Sequence, residues 1–180
     1  VMILVGFGYK IAMVPFHYWS PDVYEGAPTP ITAFFSVAPK AAGFALLIRV
    51  FTVVFTTSEG GVSGVEWTSI VAILSAVTMT VGNILALQQT NVKRMLAYST
   101  ISHVGFMLMA VCTLTSIAIN GILFYLLIYS FMNLSAFYMV IYMSNKYNAE
   151  VIEHKEFISG RYSVLSETGM FPAALMGLNP

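Results

Sequence analysis

The sequence is poor in charged residues. Of its 180 residues only 9% are charged, whereas 58% are hydrophobic. Soluble domains carry about 25% charged residues, and a mean hydropathy of +0.80 is far above what such a domain shows. The composition therefore excludes an ordinary soluble domain and predicts an integral membrane protein.

Cysteine and net charge are also scarce. Cys112 is the one cysteine, which excludes a disulfide framework, a CxxC motif and a cysteine ligand set for an iron–sulfur cluster. Eight basic and eight acidic residues cancel, so nothing indicates nucleic-acid binding. No GxGxxG phosphate loop is present. We therefore expect no cofactor and no metal ion to be bound by this chain.

Hydrophobic runs, by contrast, fill most of the chain and predict an all-α, polytopic transmembrane bundle. About 20 apolar residues cross the hydrocarbon core. The five apolar segments are residues 1–14, 31–57, 66–89, 95–114 and 116–143. The first is interpreted as the end of a truncated helix, so we expect a central fragment of a longer protein, without a signal peptide. Residues 1–143 are assigned to the bundle, 144–169 to an extramembrane connection, and 170–180 to the start of a further helix.

The basic residues outside the apolar segments predict the orientation. Alternating the segments places the connections 15–30, 90–94 and 144–161 on one face of the membrane. That face carries five bases, which are Lys93, Arg94, Lys146, Lys155 and Arg161. The opposite connections carry none. The positive-inside rule therefore assigns the first face to the cytoplasm or matrix.

Two lysines, Lys10 and Lys40, lie well inside apolar segments. A charged amine in hydrocarbon costs about 2.5–3.5 kcal/mol even on insertion scales, and Lys40 lies roughly 12–15 Å past the start of its segment. Because burial disfavours the charged form, a buried lysine can exchange its proton under physiological conditions, which arginine cannot. We interpret the pair as a proton relay. The alternative is that each lysine snorkels or pairs with an acid on another helix.

A proline lies near each of these lysines. Pro39 directly precedes Lys40, and Pro15 follows Lys10 by five residues. Proline removes one backbone N–H and clashes with the carbonyl four residues earlier. The sequence therefore predicts broken helices at both places, a feature typical of transporters.

Polar side chains on the last two bundle segments are candidate members of the relay. Ser99 and His103 share a helix face, and histidine titrates near neutrality. His103 is interpreted either as a proton relay or as a neutral interhelical hydrogen-bonding group. Tyr125, Tyr129 and Asn133 also share a face, where interhelical contacts are favoured over a hydrated path.

The connection "PFHYWSPDVYEGAPTP" combines prolines, aromatics and two acids. Its aromatic side chains fit the belt at the membrane interface, and these are His17, Tyr18, Trp19 and Tyr24. Asp22 and Glu25 are interpreted as solvated loop acids or helix caps, with proton delivery toward the lysines as the alternative.

Two long stretches resemble a known family. "GFGYKIAMVPFHYWSPDVYEGAPTPITAFFSVAPKAAGFALLIRVF" and "GNILALQQTNVKRMLAYSTISHVGFMLMAV" are similar to subunit N (subunit 2 in mitochondria) of proton-pumping NADH:quinone oxidoreductase, respiratory complex I. Related antiporter subunits share a proline-rich loop and a "KRMLAYST"-like stretch, but "PDVYEGAPTP" favours subunit N. The resemblance covers residues 5–143.

The resemblance implies an antiporter-like fold and assigns roles to three residues. Lys10 matches the lysine on the broken helix, Lys40 the bridging lysine, and His103 the next residue of the proton relay. In that family the first lysine pairs with a glutamate on an earlier helix, and the exit lysine or glutamate lies on a later one.

The resemblance also implies partners and a location. NADH, FMN, iron–sulfur clusters and quinone are expected to be bound by other subunits of complex I. The expected partners are the other membrane subunits and the lipid bilayer, in a bacterial or organellar inner membrane. The alternative function is a subunit of a multi-subunit sodium/proton antiporter, and a third hypothesis is a purely structural membrane subunit.

Overall fold

The computed structural model describes residues 2–54, 67–113 and 115–147. Within these residues the chain forms six α-helices. They are α1 (Met2–Ile11), α2 (Trp19–Gly26), α3 (Thr29–Val54), α4 (Trp67–Leu87), α5 (Val92–Val111) and α6 (Ser116–Tyr147). The helix of the fifth segment thus continues to Tyr147, past its predicted end at Met143. The rest of the predicted connection, and the predicted further helix at 170–180, lie outside the described residues.

Three of the helices are long and apolar enough to cross a membrane, by length and composition. These spans are Thr29–Val53, Trp67–Leu87 and Ser116–Lys146. Helix α5, also predicted to span, is not among them, because it carries Lys93, Arg94 and a run of polar side chains. It packs against α4, α6 and α2 and buries most of its residues. Polar residues in a membrane bundle are expected on such an enclosed helix.

Helices α4 and α5 pack at close range through small residues. A Cβ on Gly105 would lie 2.7 Å from the backbone nitrogen of Met79, and one on Gly82 would lie 2.7 Å from that of Ser102. The Ser75 hydroxyl donates a hydrogen bond of 2.7 Å to the Gly105 carbonyl. Small residues that allow backbones to approach, joined by interhelical hydrogen bonds, are typical of membrane helix packing.

The main apolar core joins α1, α3, the start of α4, α5 and the first half of α6. Phe44 and Leu47 of α3 contribute to it, together with Leu108 of α5 and Ile122 of α6. Farther along, α6 presents large apolar side chains to the outside, such as Phe131, which is 69% exposed. Exposed apolar surface of this kind fits a lipid or subunit environment rather than water.

The chain breaks between α1 and α2, as predicted at Pro15. Helix α1 ends at Ile11, and Ala12 adopts a positive φ of 60°. The backbone N–H of Val14 then donates to the Thr78 hydroxyl at 3.2 Å, near the middle of α4. Backbone of this kind is tolerated at membrane depth only where protein or water provides hydrogen-bond partners.

The break predicted beside Lys40 is wrong. Helix α3 is 26 residues long and continues without interruption through Pro39. Pro39 removes a single N–H from the helix, while α3 packs against α6. Beyond Pro39, Phe44 and Leu47 belong to the same apolar cluster as Ile122 of α6. Tyr129 of α6 donates a hydrogen bond of 3.2 Å to the Ser36 carbonyl one turn before Lys40. These contacts with α6 therefore outweigh the local loss.

Helix α2 lies in the stretch predicted to be an interfacial connection. At its start His17 contacts Tyr98 of α5, with ring centroids 6.4 Å apart, and at its end Tyr24 packs against Phe137 of α6. His17 and Tyr24 are only 2% and 1% exposed, so their assignment to the interfacial belt is wrong. Tyr18, at 72% exposed, fits that assignment. Helix α2 thus crosses α5 and directs one polar face into the bundle.

Candidate functional site

Lys40 is enclosed between α2, α3 and α5. Its side chain is 2% exposed, and its Nζ atom donates a hydrogen bond to the Thr100 hydroxyl on α5. The same nitrogen lies 5.5 Å from the centroid of the Tyr24 ring. Among the described residues no carboxylate forms an ion pair with Lys40. A buried amine is therefore held by a hydroxyl and a ring face instead of a counter-charge.

These two contacts suit a lysine that gains and loses a proton. The Thr100 hydroxyl donates its own hydrogen to the Ala97 carbonyl at 2.7 Å, which leaves its oxygen to accept from Lys40. Either an ammonium or a neutral amine can donate that hydrogen bond. The ring of Tyr24 adds a modest attraction for the ammonium alone. A carboxylate beside Lys40 would fix the ammonium form. Without one, neither the ammonium nor the neutral amine is held by a strong partner.

His103 lies one turn beyond Thr100 on α5. Its Nδ1 atom is hydrogen-bonded to the Tyr125 hydroxyl at 2.6 Å, and its ring centroid is 5.3 Å from that of Tyr129. Tyr129 in turn is bonded to Ser36, on the α3 turn before Lys40. The structure therefore brings Lys40 and His103 to one cluster, joined through Thr100 and Tyr129.

The predicted polar face of α6 mainly makes contacts between helices. Tyr125 joins α6 to α5, and Tyr129 joins α6 to α3, which confirms the favoured interpretation for both tyrosines. Asn133, one turn further along, is 4% exposed, and its side-chain nitrogen has no partner among the described residues.

Lys10 has a different environment. It is exposed on α1, and no hydrogen-bond partner for it is found among the described residues. Its Cγ atom lies 3.8 Å from where a Cβ on Gly43 would be, one turn beyond Lys40 on α3. The two lysines thus lie on packed neighbouring helices without a direct hydrogen bond in the described structure. The role of Lys10 stays a prediction.

The acids of α2 pair with the start of α5. Arg94 Nη1 lies 2.9 Å from Asp22 Oδ1 and 2.7 Å from Glu25 Oε2. Asn91 adds a hydrogen bond of 3.2 Å to Glu25 and caps α5 by accepting from two backbone N–H groups. These contacts hold the connections 15–30 and 90–94 at the same end of the bundle, as predicted. The acids therefore serve as ion-pair partners of Arg94 in the described structure.

Sequence reasoning missed two members of the Lys40 site. Thr100 was available as a polar residue three positions before His103, on the same helix face. Tyr24 gave no such signal, because its contact with Lys40 depends on how α2 crosses α5.

The fold and the site together define a class, that of polytopic membrane proteins with a broken helix and a buried lysine in a polar cluster. The family described as "NADH:quinone oxidoreductase/Mrp antiporter, TM" matches residues 1–178, so the chain belongs to this family. NADH-quinone oxidoreductase subunit N 2 of Chloroherpeton thalassium is 44% identical over 183 aligned residues, which include the whole chain. Subunit N of an Anaeromyxobacter species is also 44% identical. The chain spans 36% of the length of each of these two relatives.

Solved structures show the same relationship. Respiratory complex I from Thermus thermophilus with bound aureothin contains a chain 40% identical, with a TM-score of 0.63, over 78% of this chain and 29% of that one. An archaeal membrane-bound sulfane sulfur reductase matches at 29% identity and a TM-score of 0.69, over 79% and 28% of the two chains. The Mrp complex from a Dietzia species, at 22% identity and a TM-score of 0.72 over 84% and 27%, is similar in fold.

Proposed function

We propose that this chain is the central part of a proton-translocating subunit N of NADH:quinone oxidoreductase. In this proposal NADH oxidation and quinone reduction take place on other subunits, which bind NADH, FMN, iron–sulfur clusters and quinone. The subunit itself contributes no redox step and moves protons through buried lysines. The names of the relatives that are 44% identical support the assignment, as does the sequence, with its single cysteine.

The buried position of Lys40 carries the proposal. A lysine that is 2% exposed, hydrogen-bonded to Thr100 and lacking a carboxylate partner in the described structure is costly to keep. An apolar residue of similar size at this position would cost the folded bundle less free energy than the lysine. Ionisable groups retained inside membrane bundles mark ion pathways and proton relays. The enclosed amine is therefore the group that we expect to carry the proton.

Three residues have distinct roles in this mechanism. Lys10 is the lysine whose charge is switched by a glutamate from a part of the subunit outside this chain. Lys40 is the bridging group, which accepts a proton as a neutral amine and releases it as an ammonium. His103 is the next acceptor, because its hydrogen bond to Tyr125 orients the ring and leaves Nε2 available. Water molecules complete the gaps between these groups.

An antiporter without redox chemistry is the alternative function. The Mrp complex shares the fold at 22% identity, whereas relatives named subunit N reach 44%. The greater identity favours the redox-coupled complex. The exposed apolar surface of α6 suits lipid and the other membrane subunits of such a complex, which we place in a bacterial inner membrane.

The substitution Lys40→Ala tests the proposal in the full-length subunit within the assembled complex. Inverted membrane vesicles would be supplied with NADH, and proton uptake and NADH oxidation would be measured together. We expect proton uptake per NADH to fall by about tenfold or more, the size typical of losing a positioned proton carrier. The matched control is Arg49→Ala, on the same helix but exposed.

Two outcomes would contradict the proposal. An assembled Lys40→Ala complex that pumps as well as the Arg49→Ala complex would leave the lysine a structural role. Proton movement driven by a sodium gradient and independent of NADH would favour the antiporter.

A further inference from the structure

The buried face of α2, together with His17 two residues before the helix begins, carries polar atoms without a well-placed protein partner. Both ring nitrogens of His17, the Ser20 hydroxyl and the Tyr24 hydroxyl have no hydrogen-bond partner in good geometry within the described residues, although the Tyr24 hydroxyl lies close to Ser20 and Thr100. The three side chains are 2%, 0% and 1% exposed, respectively. Spacings of three and four residues align them on one side of a helix. We call this set, His17, Ser20 and Tyr24, the inner face of α2.

Such an arrangement is costly unless water is present. Each buried polar group without a partner costs about 1–3 kcal/mol, and native proteins usually satisfy such groups with ordered water. Other buried hydroxyls of the bundle have protein partners, as Ser75 has the Gly105 carbonyl and Ser36 the Ala33 carbonyl. Trp67 Nε1 and Asn133 Nδ2 also lack a partner, but each is isolated, whereas four of the six such atoms among the described residues belong to the inner face of α2. This grouping points to bound water.

The inner face also connects two functional features of the bundle. At one end His17 follows the helix break and lies beside the Tyr98 ring, 6.4 Å between centroids. At the other end the Tyr24 ring lies 5.5 Å from Lys40 Nζ. The acids of α2, Asp22 and Glu25, are exposed and pair with Arg94, so they do not neutralise charge on this face.

We propose that the inner face of α2 is a water-lined proton path from the helix break to Lys40, an inference that rests on the proposed function. A proton from water binds one ring nitrogen of His17, and the other ring nitrogen releases its proton to water beside Ser20. That water passes a proton on past the Tyr24 hydroxyl to the neutral amine of Lys40, which becomes an ammonium. Only O–H and N–H bonds form and break, and His17 returns to its starting charge.

Cysteine accessibility tests the presence of water without reference to pumping. Ser20→Cys and Ser75→Cys would each be made in a Cys112→Ser background of the full-length subunit, in the assembled complex. Both positions are buried serines, at 0% and 1% exposed, but the Ser75 hydroxyl donates a well-formed hydrogen bond to the Gly105 carbonyl, whereas the Ser20 hydroxyl has no partner in good geometry. We expect a small water-soluble methanethiosulfonate reagent to modify Ser20→Cys about tenfold faster or more, since thiolate formation requires water. Equal or absent reaction at both positions would overturn the path.

Tyr24→Phe supplies an independent measurement that keeps the ring above Lys40 and its packing on Phe137. Its matched control is Tyr18→Phe, which removes a hydroxyl from the exposed side of the same region. We expect NADH-driven proton uptake to fall about threefold or more in Tyr24→Phe and to stay unchanged in Tyr18→Phe, because only the former removes a group of the relay.

The experiments separate the path from the function on which it rests. If Lys40→Ala stops pumping while Tyr24→Phe pumps normally and Ser20→Cys is unreactive, the path is wrong and the proposed function stands. If Lys40→Ala pumps normally, the proposed function fails, and the path fails with it even if Ser20→Cys reacts.

Discussion

The two lysine–proline pairs of the bundle differ in whether the helix is broken near the proline. Pro15, five residues after Lys10, follows the end of α1 and a break of the chain. Pro39, next to Lys40, lies inside a helix that continues without interruption. The exposure of the lysines is reversed as well, since Lys10 is exposed and Lys40 is buried.

The difference lies in the hydrogen-bond partners available at each place. At the break, the N–H of Met13 bonds to the Gly8 carbonyl at 2.8 Å, that of Val14 bonds to Thr78 of α4 at 3.2 Å, and the Trp19 indole bonds to the Tyr9 carbonyl at 2.9 Å. A proline therefore interrupts a membrane helix where neighbours replace the lost hydrogen bonds. Helix α3 instead keeps its own hydrogen bonds on both sides of Pro39.

Of the substitutions that test this comparison, replacing the buried amine of Lys40 by a guanidinium should have the largest effect on proton uptake. We expect Lys40→Arg to lower proton uptake per NADH by about tenfold or more, because arginine keeps its proton at physiological pH. The same charge remains, so the variant separates proton transfer from charge. Arg49→Lys, on the exposed side of α3, is the control and should pump normally. Substantial pumping by Lys40→Arg would mean that Lys40 acts as a fixed charge.

Local patterns of the sequence predicted most of the helices. Long apolar segments gave α3, α4 and α6, and the polar residues of α5 were recognised as candidate members of a relay. Proline chemistry predicted the break after α1. These features depend on neighbouring residues along the chain, and composition and spacing report on them directly.

Contacts between distant segments were not predictable in the same way. The eight residues of α2 resemble an interfacial loop, with Pro21 among them, three more prolines nearby and several aromatics. Packing against α5 and α6 buries His17 and Tyr24 and brings Tyr24 to Lys40. The continuity of α3 at Pro39 depends likewise on contacts with α6, which the local rule for proline does not include.

Replacing each proline by alanine tests whether the two sites truly differ. Pro15→Ala removes the steric clash with the Ile11 carbonyl and permits α1 to extend. We expect this to displace the inner face of α2 and reduce proton uptake by about threefold or more. Pro39→Ala should leave uptake within about twofold of the parent, because α3 is already helical there. Equal losses in both variants would contradict the contrast between a broken and a continuous helix.

Removing the Thr78 hydroxyl of α4, which accepts a hydrogen bond at the helix break, should have a smaller effect. That effect should be on stability. Thr78→Val leaves the Val14 N–H buried without an acceptor, which costs about 1–3 kcal/mol. We expect a lower midpoint for thermal dissociation of the purified complex. The matched control is Thr80→Val on the same helix, whose hydroxyl is exposed and bonds within α4 to Ala76. If both variants melt alike, the hydrogen bond from Val14 does not stabilise the break.

The ion pairs that hold α2 against α5 should contribute least. The side chains of Arg94, Asp22 and Glu25 are 30%, 72% and 43% exposed, so solvent screens their attraction. Exposed pairs contribute about 0.2–1 kcal/mol, and we expect Arg94→Gln to lower the thermal midpoint slightly at low salt and not at high salt. Proton uptake should change little, because apolar contacts such as that of Tyr24 with Phe137 keep α2 in place. A large loss of uptake that persists at high salt would show instead that Arg94 positions the inner face of α2.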